Sequence, residues 1–292
     1  MGENSNIQWT HHTFNPWIGC TKVSPGCANC YAETLRKRFG RDEWGPGKPR
    51  TRTSAANWAQ PIRWDKAAAK AGERHRVFCA SLADWLDLDV SRVWLADLLR
   101  LIADTPNLDW LLLSKRPENW HDRILSAPLE PLGRDFFADS MVRQWLDGIP
   151  PRNVWIGTTV EDQRRADERI PQLLSIPAQV WFVSNEPGLE LVTLPPEFLA
   201  LGQRAWCITG GESGRRARPF DISWARSVVA QCKSADVPVF VKQLGAMPIV
   251  DFGMGIVGGF GRVELRDSHG GDPAEWPADL RVREFPTVGG QQ

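Results

Sequence analysis

The chain carries no net charge: 35 basic and 35 acidic residues cancel over 292 positions. That removes global basicity as an argument for nucleic-acid binding and leaves only local patches to consider. No apolar run approaches the ~20 residues needed to span a bilayer, and MGENSNIQWTHHTFNPW has no basic lead followed by an apolar stretch. A secretory leader and a membrane anchor are therefore not expected, and the expectation is a cytoplasmic protein. Tyrosine is almost missing, with one residue (Tyr31) against fifteen tryptophans. Many of the tryptophans fall in Asp-Trp-Leu, Val-Trp-Ile and Ala-Trp-Cys contexts, which reads as large core side chains rather than base-stacking platforms.

What is present points to a full core. Hydrophobic residues make up 42% of the chain, and the length suits one large domain of α/β-barrel size. Six cysteines in a reducing compartment read as metal ligands or free thiols rather than disulfides.

Short apolar, β-branched runs recur at Val77–Ser81, Asp109–Ser114, Val154–Thr159, Val180–Ser184, Ala205–Gly210 and Val237–Lys242. Their starts lie between 25 residues (Val180 to Ala205) and 45 residues (Asp109 to Val154) apart, which suits one strand plus one helix per unit. Near-continuous apolar character suits strands buried on both faces. Helical periodicity covers Ser91–Ala103, Glu161–Leu174 and Ser223–Ala235, the first and last with a serine placed as N-cap. With a first strand inside Ile7–Trp17, about seven βα units result. The fold expected is a single α/β domain, a partial or closed (β/α) barrel. Residues 1–65 form a cysteine loop and a long ordered loop (Arg41–Asp65), 66–248 the βα repeats, and 249–292 a C-terminal extension in which Phe260–Leu265 makes an eighth strand or a hairpin piece. Leu129–Pro151 reads as an inserted helical excursion.

Each strand ends in small, polar or charged residues. These are Ser81 leading to Asp84, Ser114 to Lys115-Arg116, Thr158-Thr159 to Glu161-Asp162, Ser184 to Asn185-Glu186, Gly210 to Gly211-Glu212, and Val241 to Lys242-Gln243. Ligands of parallel α/β proteins bind outside the carboxyl ends of the strands, so a shared polar mouth is expected. Lys115, Glu186, Glu212 and Lys242 there either bind a ligand or bridge one another, because an unpaired charge at a buried strand end is costly. One of Asp84, Asp87 and Asp89 is expected to cap the following helix. The basic run Arg36, Lys37, Arg38, Arg41, Lys48, Arg50 and Arg52 either tracks phosphates or forms a solvated face.

The most informative feature is FNPWIGCTKVSPGCANCYAETLRKRFG, with Cys20, Cys27 and Cys30. Asn29–Phe39 reads as a helix with Ala32, Leu35 and Phe39 as its apolar stripe, which puts Cys30 in the first turn, where the dipole favours a thiolate. Three thiolates suit three corners of a four-iron cluster, or three positions on zinc with His11 or His12 as the fourth ligand. Three unliganded thiols remain the third reading. Cys79, Cys207 and Cys232 sit in apolar strand and helix positions and read as packed small hydrophobes.

On these residues the chain resembles the radical S-adenosylmethionine superfamily, in which a three-cysteine loop opens a repeated βα barrel. More closely, NPWIGCTKVSPGCANCYAE, LLLSKRPEN, NVWIGTTVEDQ, GGESG-RARP and EWPADLRVREFP are similar to a bacterial and phage-associated family of unknown function known for its three-cysteine motif. The resemblance implies a radical-SAM-like barrel and a [4Fe–4S] cluster on Cys20, Cys27 and Cys30. It also implies bound S-adenosylmethionine as the source of a 5′-deoxyadenosyl radical. Ser81, Asp84, Lys115, Glu186, Gly210, Gly211 and Glu212 are then the expected cofactor-binding residues; the catalytic residues stay unassigned, with Lys115, Glu186 and Lys242 as candidates. The substrate stays unidentified. A protein partner encoded nearby is implied as well. The competing expectation is a zinc- or cluster-stabilised module that binds nucleic acid or a partner without catalysis.

Overall fold

Seven apolar runs become strands that follow one another in chain order. They are β1 (His12–Phe14), β2 (His75–Cys79), β3 (Leu108–Ser114), β4 (Val154–Thr159), β5 (Val180–Asn185), β6 (Ala205–Gly210) and β7 (Val239–Gln243). A computed structural model describes residue 5 and residues 7–127, 136–251 and 260–287. The seven strands make one sheet in the order β1 through β7. The registered pairings β1–β2, β2–β3, β5–β6 and β6–β7 are parallel. Strand beside strand in chain order is the topology of a partial β/α barrel, within a mixed α/β fold. The central strands are mostly apolar because both faces are covered: every residue of β4, β5 and β6 is buried.

The chain divides into two compact units, residues 1–157 with 172–179, and residues 158–171 with 180–292. The first unit holds helices α1 (Tyr31–Arg38), α2 (Gln60–Ala71), α3 (Arg92–Ala103), α4 (Trp120–Leu125) and α5 (Phe136–Leu146). α3 buries Leu95, Ala96, Leu98, Leu99, Leu101 and Ile102, the face its periodicity marks. α5 lies in the expected excursion, where its Trp145 stacks on Trp85 at 6.5 Å and meets Trp120 edge-on at 5.4 Å. α6 (Gln163–Leu174) spans the division, and α7 (Ile222–Ser234) belongs to the second unit. Eleven of the fifteen tryptophans are buried, in keeping with a core role for most of them.

Three local expectations are corrected. Arg41–Asp65 is not one long loop: Thr51–Arg52 pairs with Trp17–Ile18, a helical turn covers Ala55–Trp58, and α2 begins at Gln60. Pro61 sits in the first turn of α2, where a missing N–H costs nothing, so it starts the helix rather than breaking it. The cap of α7 is Asp221, whose carboxylate accepts the Ser223 N–H at 2.8 Å, and not Ser223 itself. Finally, α1 buries Ala32 alone, while Leu35 and Phe39 are 39% and 68% exposed.

In the second unit Pro248–Asp251 pairs antiparallel with Phe260–Arg262 and parallel with Phe220–Asp221, so the expected eighth strand is the hairpin piece. The Gly-Gly pairs at 258–259 and 289–290 lie outside the described residues. The tail runs along β7: Val241 N–H donates to Val282 O and Glu284 N–H to Val239 O, both at 2.9 Å. Among the described residues no helix is long and apolar enough to cross a membrane.

Candidate functional site

The cysteine loop begins where Trp17–Ile18 leaves its pairing with Thr51–Arg52. Gly19 takes φ +112°, and a Cβ there would lie 2.6 Å from Glu43 O, so only glycine fits. Cys20 follows, its carbonyl accepting the Gly45 N–H at 3.0 Å. Ser24 then turns the chain through the short helix Pro25–Cys27, with Ser24 Oγ and Cys27 Sγ 3.9 Å apart. Cys30 is the N-cap of α1 and packs with Trp44 against Ile18, Ala32 and Leu82. The Tyr31 hydroxyl donates to Ser81 O at 2.6 Å, tying the start of α1 to the segment after β2.

Behind this loop lies a buried network of charges. Asp84 Oδ1 accepts from Ser114 Oγ (2.6 Å) and Leu86 N–H (3.0 Å). Its Oδ2 accepts from Lys115 N–H (3.0 Å) and Arg116 Nη1 (2.7 Å). Arg116 Nη2 donates to Thr21 O at 2.5 Å, and both terminal nitrogens face Cys20 Sγ, at 3.7 and 3.8 Å. Arg50 is equally enclosed, donating to Asp87, Asp89, Thr21 Oγ1 and the carbonyls of Glu43, Gly45 and Lys48. None of Asp84, Asp87 and Asp89 caps α3, contrary to expectation; Ser91 is its N-cap. The acidic side chains are drawn to buried guanidinium groups and loop N–H groups, which repay their desolvation better than an exposed helix end.

Burial, reinforced by the Asp84 carboxylate, pushes the Cys20 thiol up to about 12, against the opposing pull of Arg116. Burial alone would lower the pKa of Arg116, but Asp84, Cys20 and Asp87 together outweigh it and raise it. Arg116 is a buried residue of this network that sequence reasoning did not single out. The signal was its place beside Lys115 in SKRPEN at the end of β3, where two adjacent cations cannot both point outward from a strand terminus.

The six thiols divide cleanly. Cys20, Cys27 and Cys30 are partly accessible, whereas Cys79, Cys207 and Cys232 are fully buried and free. Burial raises the Cys79 thiol, and contact with Cys232 followed by burial raises Cys207, so these remain inert apolar packing. The donor chemistry of the first three suits iron or zinc. Their present spacing does not close around a metal, since no group of three or more His, Cys, Asp or Glu among the described residues is arranged to hold one. The histidines are engaged elsewhere. At the amino end of β1, His12 Nε2 meets His75 Nδ1 at 3.0 Å and its ring stacks on Trp64 at 4.3 Å, while His11 Nδ1 accepts the Arg76 N–H at 2.8 Å.

The strand ends of the second unit are paired internally. Lys242 sits at an irregularity in the β6–β7 register, which aims its ammonium at the Glu186 carboxylate. Glu212 takes the Arg218 guanidinium with both oxygens, closing the 212–218 loop. Glu161 pairs with Arg169 at 2.9 Å, and Asn185 bridges Val160 O and Thr209 Oγ1. Gly210 and Gly211 are explained by packing. A Cβ on either would lie 2.7 Å from a backbone oxygen, of Gln243 or Leu244. The hydroxyls of Thr158 and Thr159 are buried with no hydrogen-bond partner among the described residues.

The basic run is largely neutralised. Arg36 meets Glu43, Lys37 meets Glu33, Lys48 meets Asp42, Arg50 meets Asp87, and Arg52 meets Asp97. Five of its seven cations therefore face carboxylates rather than presenting a continuous track for phosphates. A family model described as "Protein of unknown function (DUF5131)" matches residues 4–264. No curated protein and no solved structure matches the chain.

Proposed function

We propose that this chain, which belongs to the DUF5131 family of proteins of unknown function, is an iron–sulfur protein of the radical S-adenosylmethionine type. Cys20, Cys27 and Cys30 would be the protein ligands of a [4Fe–4S] cluster. The supporting observation is the division among the thiols: the three on the 20–30 segment are partly accessible, and the other three are sealed in the core. When bound, the cluster and S-adenosylmethionine supply one-electron chemistry that ends in a 5′-deoxyadenosyl radical and hydrogen abstraction from a substrate.

The chain's own residues do the positioning. Gly19 lets the loop pass against Glu43, Tyr31 ties α1 to Ser81, and the Asp84–Arg116 pair backs Cys20. Lys115 is half-buried at the end of β3, its N–H anchored on Asp84, and stays a substrate-facing group in this reading. Glu186 and Lys242 pair with each other at the ends of β5 and β7. Gly210, Gly211 and Glu212 need no cofactor to account for them.

Anaerobic purification and reconstitution test the proposal. The expected result is about four irons and four sulfides per chain, lost in Cys30→Ala, with 5′-deoxyadenosine released when reductant and S-adenosylmethionine are added. Zinc as the sole metal of anaerobically purified protein overturns it.

A further inference from the structure

A second buried arginine of the first unit has no counter-ion among the described residues. Arg123 stands on the buried face of α4 with Trp120 and Ile124 and is 3% exposed. Its Nε and Nη2 are buried without a hydrogen-bond partner among the described residues. These are the two nitrogens whose N–H bonds point the same way. Arg36 lays that same edge on both oxygens of Glu43, at 2.7 and 2.9 Å. One turn earlier on α4, Trp120 Nε1 is a third buried donor with no acceptor. Burial and the neighbouring Arg92 lower the pKa of Arg123, and Asp87 pulls the other way. Asp87 is already occupied: its Oδ2 accepts Nε and Nη2 of Arg50 at 3.0 and 2.8 Å, and its Oδ1 the Asp89 N–H at 3.2 Å. Arg92 opens α3, whose first turn carries no acid, and is itself exposed. Two cations thus share a place with no free carboxylate, and one of them is held out of water with its fork empty, a costly arrangement until an anion fills it.

We propose that Arg123, with Arg92 as the second cation, is a receptor for an oxyanion that carries two oxygens on one centre, a phosphoryl group or a carboxylate. The site makes no use of the cysteines, so it stands or falls apart from the cluster reading. The test follows the thermal midpoint of the full chain as inorganic phosphate or acetate is titrated at constant ionic strength against a chloride background, which keeps general screening equal. A saturable rise is expected in the wild type; phosphate alone would identify a phosphoryl group, acetate alone a carboxylate, and both a fork that reads either. Arg123→Met should weaken the apparent affinity about 10-fold or more, and Arg92→Ala, at an exposed position, roughly 2- to 5-fold. In chloride alone Arg123→Met should melt at or above the wild-type temperature, because it removes a buried charge that nothing compensates. Should Arg123→Met fail to fold, Arg123→Lys, which keeps the charge and loses the fork, decides by the same comparison of affinities. A wild type that responds to neither anion, or a folded Arg123 variant that responds as the wild type does, overturns the proposal.

Discussion

The two units spend their buried charges differently. At the strand ends of the second unit, carboxylates and cations satisfy one another in closed pairs, Glu186 with Lys242, Glu212 with Arg218 and Glu161 with Arg169. In the first unit, Arg116 and Arg50 exceed their carboxylates: their remaining N–H groups reach carbonyls, a hydroxyl and the Cys20 sulfur. A closed pair stabilises a terminus and is complete in itself. A guanidinium with donors left over reaches several backbone groups at once and holds a loop in a chosen place.

Breaking that contrast should be most costly at Asp84. Asp84→Ala leaves the buried Arg116 uncompensated and should lower stability by about 3–5 kcal/mol, measured by urea unfolding. A loss under 1 kcal/mol would place Arg116 in solvent and dissolve the comparison. Gly211→Ala follows, costing up to about 3 kcal/mol, because its methyl group would meet Leu244 O at 2.7 Å and Phe220 Cβ at 2.8 Å. If Gly211 instead served a cofactor, the variant would keep its thermal midpoint and lose only binding.

Acid should act on the first unit through the imidazoles. Burial, followed by Arg76 for His11 and by His75 for His12, lowers both from 6.5 to about 4. As pH falls through 6.5 the unfolded chain takes up protons that the folded chain refuses. Stability is thus full above that pH and is lost progressively towards pH 4, by about 1–2 kcal/mol once water's access to His11 is allowed for. His12→Phe, which keeps the stack on Trp64, should flatten the difference in urea midpoint between pH 7 and pH 4.

The smallest effects belong to the second unit. Lys242→Met should cost no more than about 1 kcal/mol, since the pair is partly solvated. Thr158→Val should be neutral or stabilising by up to about 1 kcal/mol, because it removes a hydroxyl that has no partner. A loss above 2 kcal/mol would reveal a bond that the fold hides.

Much of this architecture was readable from the chain. The β4 and β6 bounds follow from VWIGTT and AWCITG, because a doubly covered strand lacks charge and is apolar along most of its length. What escaped were features decided by distant partners. Asp84 looks like a helix cap from its neighbours, yet beside the local Leu86 N–H its donors come from residues thirty or more positions away in Ser114, Lys115 and Arg116. Arg41–Asp65 looked like loop because the glycines and prolines of its first ten residues hid the helical start at Ser54, whose hydroxyl accepts the Asn57 N–H. Leu35 and Phe39 looked like a core stripe since periodicity marks a face without saying whether anything covers it. The three cysteines stood out as candidate ligands by composition, and their arrangement in space could not be read from the chain.

The tail that travels beside β7 has an engineering consequence. An outermost strand offers an open row of amides and carbonyls to any passing chain, and here Val282 and Glu284 occupy part of that row while Trp206 Nε1 ties down Glu284 O at 2.9 Å. A truncation that stops where the family match stops, at 264, would strip this selvedge and leave a sticky border, so expression trials should carry the chain through Phe285.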